Sequence, residues 1–270
     1  MFIKTEKNGI PYYAPFADMD FCTAGITTRA GGVSKGYLSE LNLGTRCGDT
    51  EEALSENYAR LGAALGFSAD AIVSTNQKHT SVVRRARRED AGTGIIRPRF
   101  PEGVDGLVTN EANLPLLAYF ADCVPVLFCD PVKKAVGVCH SGWRGTVEKI
   151  AAETVRKMET EFGSRPKDIH AAIGAHIGAC CFEVDAPVYE AFAAAFPEKG
   201  GFASPKGEKY HIDLSAAVEY TLRAAGVENI SNMKTCTACH AETFFSHRKT
   251  AGKRGCFAAV ICIRENLRKE

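Results

Sequence analysis

The sequence predicts an α+β fold: a mixed β-sheet core of sandwich-like build with helices packed on the outside, in a single domain over residues 1–270. Two observations lead there. Several short segments are almost wholly apolar, so both faces of those strands are covered. Some of these segments follow one another directly, whereas the segments with helical periodicity stand apart from them. No internal repeat or linker-like stretch divides the chain, whose length suits one large domain or two small ones.

The first helix is read from about Glu51 to Leu65. Asp49 or Thr50 caps it, Leu54, Tyr58, Leu61 and Leu65 form one apolar stripe, and Gly66 ends it. Strands are expected over Ile72–Ser74, Leu114–Phe120, Val124–Cys129 and Ala135–Cys139. A second helix should follow Gly145, with Val147, Ile150, Ala151, Thr154 and Met158 on one face and Gly163 at its end. After a strand over Ile169–Ile173, a third helix follows Asp185 with Val188, Phe192 and Phe196. A fourth follows Asp213 with Leu214, Val218 and Leu222 and stops at Gly226, and the last strand covers Phe257–Ile263.

A formal net charge of +1 predicts neither a polyanion binder nor a membrane-surface protein. No apolar run approaches the roughly 20 residues that span a bilayer. The charged stretch from Met1 to Asn8 lacks the apolar core of a signal peptide. A cytoplasmic protein is expected, with neither nucleic acid nor membrane as partner. Its 11 cysteines are then expected to be reduced, most of them small buried apolar side chains and one or two of them ligands or nucleophiles.

The stretch from Val124 to Cys139 reads as a hairpin, with Asp130-Pro131 opening a type I turn in a loop longer than two residues. A symmetric loop centred between Pro131 and Val132 sets Cys123 directly opposite His140, with Cβ atoms roughly 4.5–5.5 Å apart. A thiolate and an imidazole so placed can share a metal ion or form a nucleophile–base pair. A slip of one residue would part them. Ser141-Gly142-Trp143-Arg144-Gly145 then leads into a helix, and the helix start with Arg144 beside it is a candidate phosphate site. His79 follows a short strand and precedes a polar loop, which is where sites usually lie.

These residues resemble the laccase-domain family, also described as multicopper polyphenol oxidoreductase-like proteins, purine nucleoside phosphorylases and peptidoglycan editing factors. The resemblance covers nearly the whole chain. It runs through Thr28-Arg29-Ala30-Gly31-Gly32, Leu41-Asn42-Leu43-Gly44, Gln77-Lys78-His79, Asp105-Gly106-Leu107-Val108-Thr109, Ala121-Asp122-Cys123, His140-Ser141-Gly142-Trp143-Arg144-Gly145, Phe244-Phe245-Ser246-His247-Arg248 and Lys253-Arg254. It implies a zinc site, with copper as an alternative, held by His79, Cys123 and His140. It also implies phosphorolysis of adenosine, inosine and methylthioadenosine, and deamination of adenosine. The partners would be purine nucleosides and inorganic phosphate, and the chain a monomer or small homo-oligomer. Three positions depart from the family pattern: Thr80 stands for Gly, Ser141 for Ala, and Gly174-Ala175 for Gly-Pro. None removes a ligand, and Thr80 is expected to alter substrate fit near His79.

A His₂Cys set with an open fourth position suits catalytic zinc, which supplies hydroxide at neutral pH and so accounts for deamination. Phosphorolysis further needs a phosphate site. Arg144 and Arg248, with Arg29 as a third, are candidate contacts because guanidinium forks match phosphate oxygens. Asn42 and Gln77, from two of the matched motifs, are further candidate substrate contacts. Asp122 is a candidate acid, base or orienter of its neighbour Cys123. A copper polyphenol oxidase is one rival, although no clustered His-x-His motifs are present to hold several coppers. A Cys–His hydrolase editing cell-wall precursors, with Cys123 as nucleophile and His140 as base, is the other.

Other signals are set aside. Cys236-Thr237-Ala238-Cys239-His240 has the spacing of a c-type haem attachment, which would require export. Zinc there would need a second ligand pair, for which only His247 and Cys256 come into view, and Cys180-Cys181 reads as packing. The basic run Arg84-Arg85-Ala86-Arg87-Arg88 is followed at once by Glu89 and Asp90 and reads as a solvated face.

Overall fold

The computed structural model describes residues 1–197 and 201–265. Among them, in chain order, lie β1 (Ile3–Lys7), β2 (Ile10–Ala14), β3 (Cys22–Thr27), α1 (Glu51–Leu65), β4 (Val73–Ser74), β5 (Val83–Arg85), β6 (Gly106–Thr109), β7 (Leu116–Phe120), β8 (Val124–Asp130) and β9 (Ala135–Ser141). There follow α2 (Trp143–Val147), α3 (Ile150–Phe162), β10 (His170–Ile173), β11 (Glu183–Val184), α4 (Ala186–Ala195), β12 (Ala203–Lys206), β13 (Lys209–Ile212), α5 (Leu214–Ala224), β14 (Asn229–Asn232) and β15 (Phe257–Ile263). One large sheet has the order β1-β2-β3-β15-β7-β4, the other β14-β10-β8-β9-β6-β5, and β11-β13-β12 form a small third sheet. Both large sheets are mixed: β4 runs parallel to β7, β14 to β10 and β5 to β6, while the other pairs are antiparallel.

The two large sheets pack face to face, and helices cover their outer faces. Strand alternation shows this directly. From β8, Leu127 and Cys129 enter the core between the sheets, together with Phe120, Phe257 and Ala259 of the opposite sheet. Val124, Val126 and Phe128 point the other way, onto Ile150, Val155 and Met158 of α3 and Val218 and Leu222 of α5. From β15, Phe257, Ala259 and Ile261 face the core between the sheets. Ala258 and Val260 instead pack against Tyr58, Leu61 and Leu65 of α1. This four-layer α+β arrangement explains why those strands are apolar on both faces, each large side chain contributing about 1.5–3 kcal/mol through burial.

The helix termini follow local chemistry. Thr50 accepts from the Ala53 N–H at the start of α1, Gly66 closes it at φ 81°, and Asp213 accepts from the Ala216 N–H at the start of α5. The helix expected after Gly145 begins earlier, at Trp143, and is broken in two. Lys149 takes a left-handed φ of 59°, which redirects the chain so that Ile150, Ala151, Thr154 and Met158 lie buried on one side of α3. The basic run is only partly a solvated face: it contributes edge strand β5, Arg84 pairs with Glu102 and Asp90, and Arg85 with Glu161. Among the described residues no helix is long and apolar enough to cross a membrane.

The hairpin register differs from the symmetric expectation. Its loop has four residues, so that Asp130 pairs with Ala135 and Pro125, not Cys123, pairs with His140. The cause is the Asp130 carboxylate, which accepts from the Val132 and Lys133 N–H groups and draws the turn one residue further along, with Lys134 at φ 51° completing it. The displacement is two residues. Parity, and therefore the face that His140 presents, is unchanged.

Phe128, fully buried between β8 and the helices, should cost about 3–5 kcal/mol on replacement by Ala, read as a lower urea midpoint. Ile96, 64% exposed, should cost no more than about 0.5 kcal/mol. Equal midpoints for the two variants would contradict the layering.

Candidate functional site

The chain passes from one large sheet to the other between β7 and β8, through Ala121, Asp122 and Cys123. The passage is pinned at Asp122, which adopts a φ of 91°. Its carboxylate accepts from the Thr237 hydroxyl at 2.6 Å and from the Arg248 N–H at 2.6 Å. Cys123 is thereby turned toward the end of β9, where His140 is buried at 3% exposure. Gly142 leaves room for the assembly. A Cβ there would sit 2.8 Å from His79 Cδ2 and 3.1 Å from the Cys123 sulfur. His79 arrives from the loop after β4 with a left-handed φ of 60°. Its ring meets that of His140 edge to face, with centroids 4.9 Å apart.

One buried carboxylate organises both histidines. Asp105 accepts from the backbone N–H groups of Lys78 (2.9 Å), His79 (3.1 Å) and Thr80 (3.0 Å) and from the Thr80 hydroxyl (3.0 Å). It also receives His140 Nδ1 at 2.8 Å. These bonds hold the His79 loop in its left-handed conformation and leave His140 Nε2 as the nitrogen that faces the site. Thr80 therefore serves the fold of this loop through Asp105, a role apart from the substrate fit expected of it.

The three donor atoms of His79, Cys123 and His140 lie within 4.8 Å of one another. Burial pushes the Cys123 thiol up, but the charge of His140 and hydrogen bonds from His140 and His79 outweigh it and bring it down to about 6. Burial pushes His140 down, but the Cys123 charge and the hydrogen bond to Asp105 raise it to about 9. For Asp105, burial raises the pKa, and the bonds from His140, Lys78 and Thr80 overcome that and lower it. A thiolate beside two imidazoles, one oriented by a carboxylate, is a donor set that fits a borderline-soft divalent cation with a coordination position to spare.

Two cavities flank these residues and share His79, Ala121, Cys123 and Arg254. One, of about 260 Å³, is basic, with Arg46, Arg99 and Arg254 beside Gln77 and Tyr119. The other, of about 340 Å³, is apolar, with Trp143, Ile177, Phe182 and Leu214, and is edged by Asp122, His247 and Arg248. The remaining expected contacts fare differently. Gln77 lines the basic cavity, although its amide is held by both backbone groups of Tyr119. Arg248 edges the apolar cavity and donates to the Cys181 and Glu183 carbonyls. Arg144 is exposed, lies over the Trp143 ring at 4.2 Å and lines neither cavity, and the helix it belongs to has only five residues. Arg29 is spent on the Ser39 and Ala241 carbonyls and the Phe245 ring. Asn42 is fully buried, bonded to Gly44, Asp49 and Cys256. Sequence reasoning missed Asp105, Arg46 and Arg99 as site residues. The signal for Asp105 was its place in the matched Asp105-Gly106-Leu107-Val108-Thr109 motif, at the start of an apolar strand. Arg46 and Arg99 stand in loops without any pattern.

A family model described as multi-copper polyphenol oxidoreductase laccase matches residues 23–264. The purine nucleoside phosphorylase YlmD of Geobacillus stearothermophilus is 38% identical over 257 residues, covering 93% of this chain and 92% of that protein. A purine nucleoside phosphorylase of Deinococcus radiodurans is 39% identical over 236 residues, covering 87% of each. The crystal structure of the Geobacillus YlmD superposes with a TM-score of 0.91 at 35% identity, over 98% of this chain and all of that one.

In metal-free protein the Cys123 thiol, depressed to about 6, stays ionised above that pH and protonates below it. Its alkylation by iodoacetamide should therefore hold its rate down to about pH 6, and His140→Ala should move the midpoint up toward the ordinary 9.0; a wild-type midpoint already near 9 would refute the pairing. Asp105→Asn should lower zinc affinity, measured against a competing chelator, by about 10–100-fold with the fold retained. An unchanged affinity would remove Asp105 from the site.

Proposed function

The chain belongs to the multi-copper polyphenol oxidoreductase laccase family, and we propose that within it this protein is a metal-dependent purine nucleoside phosphorylase of the cytoplasm. The carrying observation is the convergence of His79, Cys123 and His140 on the seam between a basic and an apolar cavity. Adenosine, inosine and S-methyl-5′-thioadenosine are the proposed substrates. The N-glycosidic bond breaks, a phosphate oxygen bonds to C1′, and the base leaves with a proton as free purine beside (methylthio)ribose 1-phosphate. The printed names of the Geobacillus and Deinococcus relatives support this class of reaction.

The two cavities suggest how the reactants divide. Phosphate suits the side of Arg46, Arg99 and Arg254, whose guanidinium groups match its oxygens. A purine suits the side of Trp143, Ile177, Phe182 and Leu214, which offers apolar and aromatic surface and excludes water. The ribose would then lie over Cys123, where both cavities meet. Zinc is the ion we assign to His79, Cys123 and His140, with copper as the alternative; bound there, it supplies Lewis-acid activation of an oxygen nucleophile, which suits a second activity, deamination of adenosine. A specific observation also favours the Cys–His hydrolase as a second reading: the Cys123 thiol brought down to about 6 beside His140. Metal loading separates the two, since a ligated sulfur is not a free nucleophile.

The experiment is direct. Zinc-loaded protein is incubated with inosine or adenosine, with and without phosphate, and free base and ribose 1-phosphate are followed. Phosphate-dependent release of base is expected, and its absence would sink the reading. Arg254→Met should raise the KM for phosphate about tenfold, equivalent to about 1.4 kcal/mol, with a smaller effect on the KM for nucleoside. The reverse pattern would place phosphate elsewhere.

A further inference from the structure

Beside the apolar cavity two segments distant in sequence meet. Cys180 and Cys181 follow Gly178, and Cys236 and Cys239 belong to the segment that also supplies Thr237. The four sulfurs all lie within 4.8 Å of one another. The Cys239 sulfur is 3.6 Å from that of Cys180 and 3.5 Å from that of Cys181. All four are free thiols, and Cys180 and Cys239 are exposed. Packing, expected of the Cys180-Cys181 pair, does not explain thiols at the surface. His247 and Cys256, the partners considered for the Cys236 motif, instead line the two cavities of the candidate active site.

We propose that Cys180, Cys181, Cys236 and Cys239 form a second metal centre, a structural site for a single zinc ion. A tetrahedron of thiolates about 2.3 Å from zinc has edges of about 3.8 Å, close to the separations found. The backbone is shaped for it. A Cβ on Gly178 would sit 3.3 Å from the Cys180 sulfur and 3.2 Å from Cys236 Cβ, so glycine leaves the sulfurs their room. Binding releases four thiol protons to solvent and leaves the centre with a charge of −2. Cations stand close by: the Arg248 guanidinium donates to the Cys181 carbonyl at 2.9 Å, and Lys249 shares a surface depression with Cys181 and Cys239.

The centre clamps the wall of the active site. Thr237, between two of its cysteines, donates to Asp122, and so does the Arg248 N–H. Two more bonds from Arg248 reach Cys181 and Glu183. Zinc on the four sulfurs thus ties both segments to the residue preceding Cys123 while lying outside the His79–Cys123–His140 set.

The test is made on the full chain purified under reducing conditions, loaded with zinc and freed of excess. Differential alkylation with peptide mapping should find all four cysteines protected, and all four reactive after EDTA. In a Cys123→Ala background, elemental analysis should find that Cys239→Ser removes one zinc per chain, whereas Cys239→His, which retains a ligand, keeps it. Exposed Cys180 and Cys239 that alkylate equally with and without zinc would overturn the proposal, as would an unchanged zinc content in Cys239→Ser. The alkylation result on the unmutated chain stands even where a variant fails to fold.

Discussion

The Asp105 carboxylate is the constraint on which the rest of the site depends. A fully buried acid without partners would be neutral or would destabilise the fold. Here five donors converge on it, three of them backbone N–H groups from consecutive residues. Those three can reach one carboxylate only if the chain curls around it, which puts His79 in a left-handed conformation that a non-glycine residue adopts at a cost of about 1–3 kcal/mol. The carboxylate offsets that cost with bonds of the charge-assisted kind. It also holds Nδ1 of His140, so one group sets the position of two of the three site residues. The third, Cys123, is set by a second acid in the same manner, since both oxygens of Asp122 are occupied by Thr237 and Arg248. Two carboxylates therefore act as joints of the site.

The sandwich explains why such joints are needed. His79 and Cys123 come from two connections, the loop after β4 and the step from β7 to β8, and His140 from the last residues of β9. The two connections leave strands of one sheet, and β9 belongs to the other. Sheet pairing fixes each strand within its own layer but says little about how loop ends meet across layers. Hydrogen bonds to buried acids, and the missing Cβ of Gly142, make that last adjustment. The small-residue turn after His140 therefore serves close approach of Cys123 and His79 to the backbone. Arg144, in the five-residue α2, lies over the Trp143 ring and lines neither cavity.

What could be read from the residues beforehand follows from this division. Elements with a strong apolar pattern announce themselves: the fully buried Phe257–Ile263 and the amphipathic Glu51–Leu65 have the bounds their patterns predict. Strands whose identity comes from their partner do not. β1 is exposed along most of its length, and β3, though buried throughout, has Ile26 as its one large apolar residue, so neither carries an apolar run. In the site, His140 and Cys123 were visible as a hairpin pair, with a register two residues out because the Asp130 side chain moves the turn one residue along the chain. His79 came into view through family resemblance. Asp105 and the arginines of the basic cavity escaped because their roles arise from convergence in space. Arg29 and Asn42 show the converse: both stand in matched motifs, and both are consumed in holding loops together.

Nine of the eleven cysteines divide by the same physical reasoning. Cys139 and Cys262 are buried in apolar surroundings that push both thiols up to about 12, as inert packing residues should be. Cys47 and Cys256 sit at the rim of the basic cavity, with the Arg254 guanidinium 2.8 Å from the Cys256 sulfur. Cys123 is the thiol brought down by two imidazoles. Cys180, Cys181, Cys236 and Cys239 belong to none of these classes, being grouped, partly exposed and set in a backbone that leaves room for their sulfurs. Thr237 and Arg248 join that group to Asp122, and Asp122 places Cys123. A single run of hydrogen bonds therefore connects the four-cysteine cluster to the seam between the two cavities, so the geometry of Cys123 depends on order in that cluster.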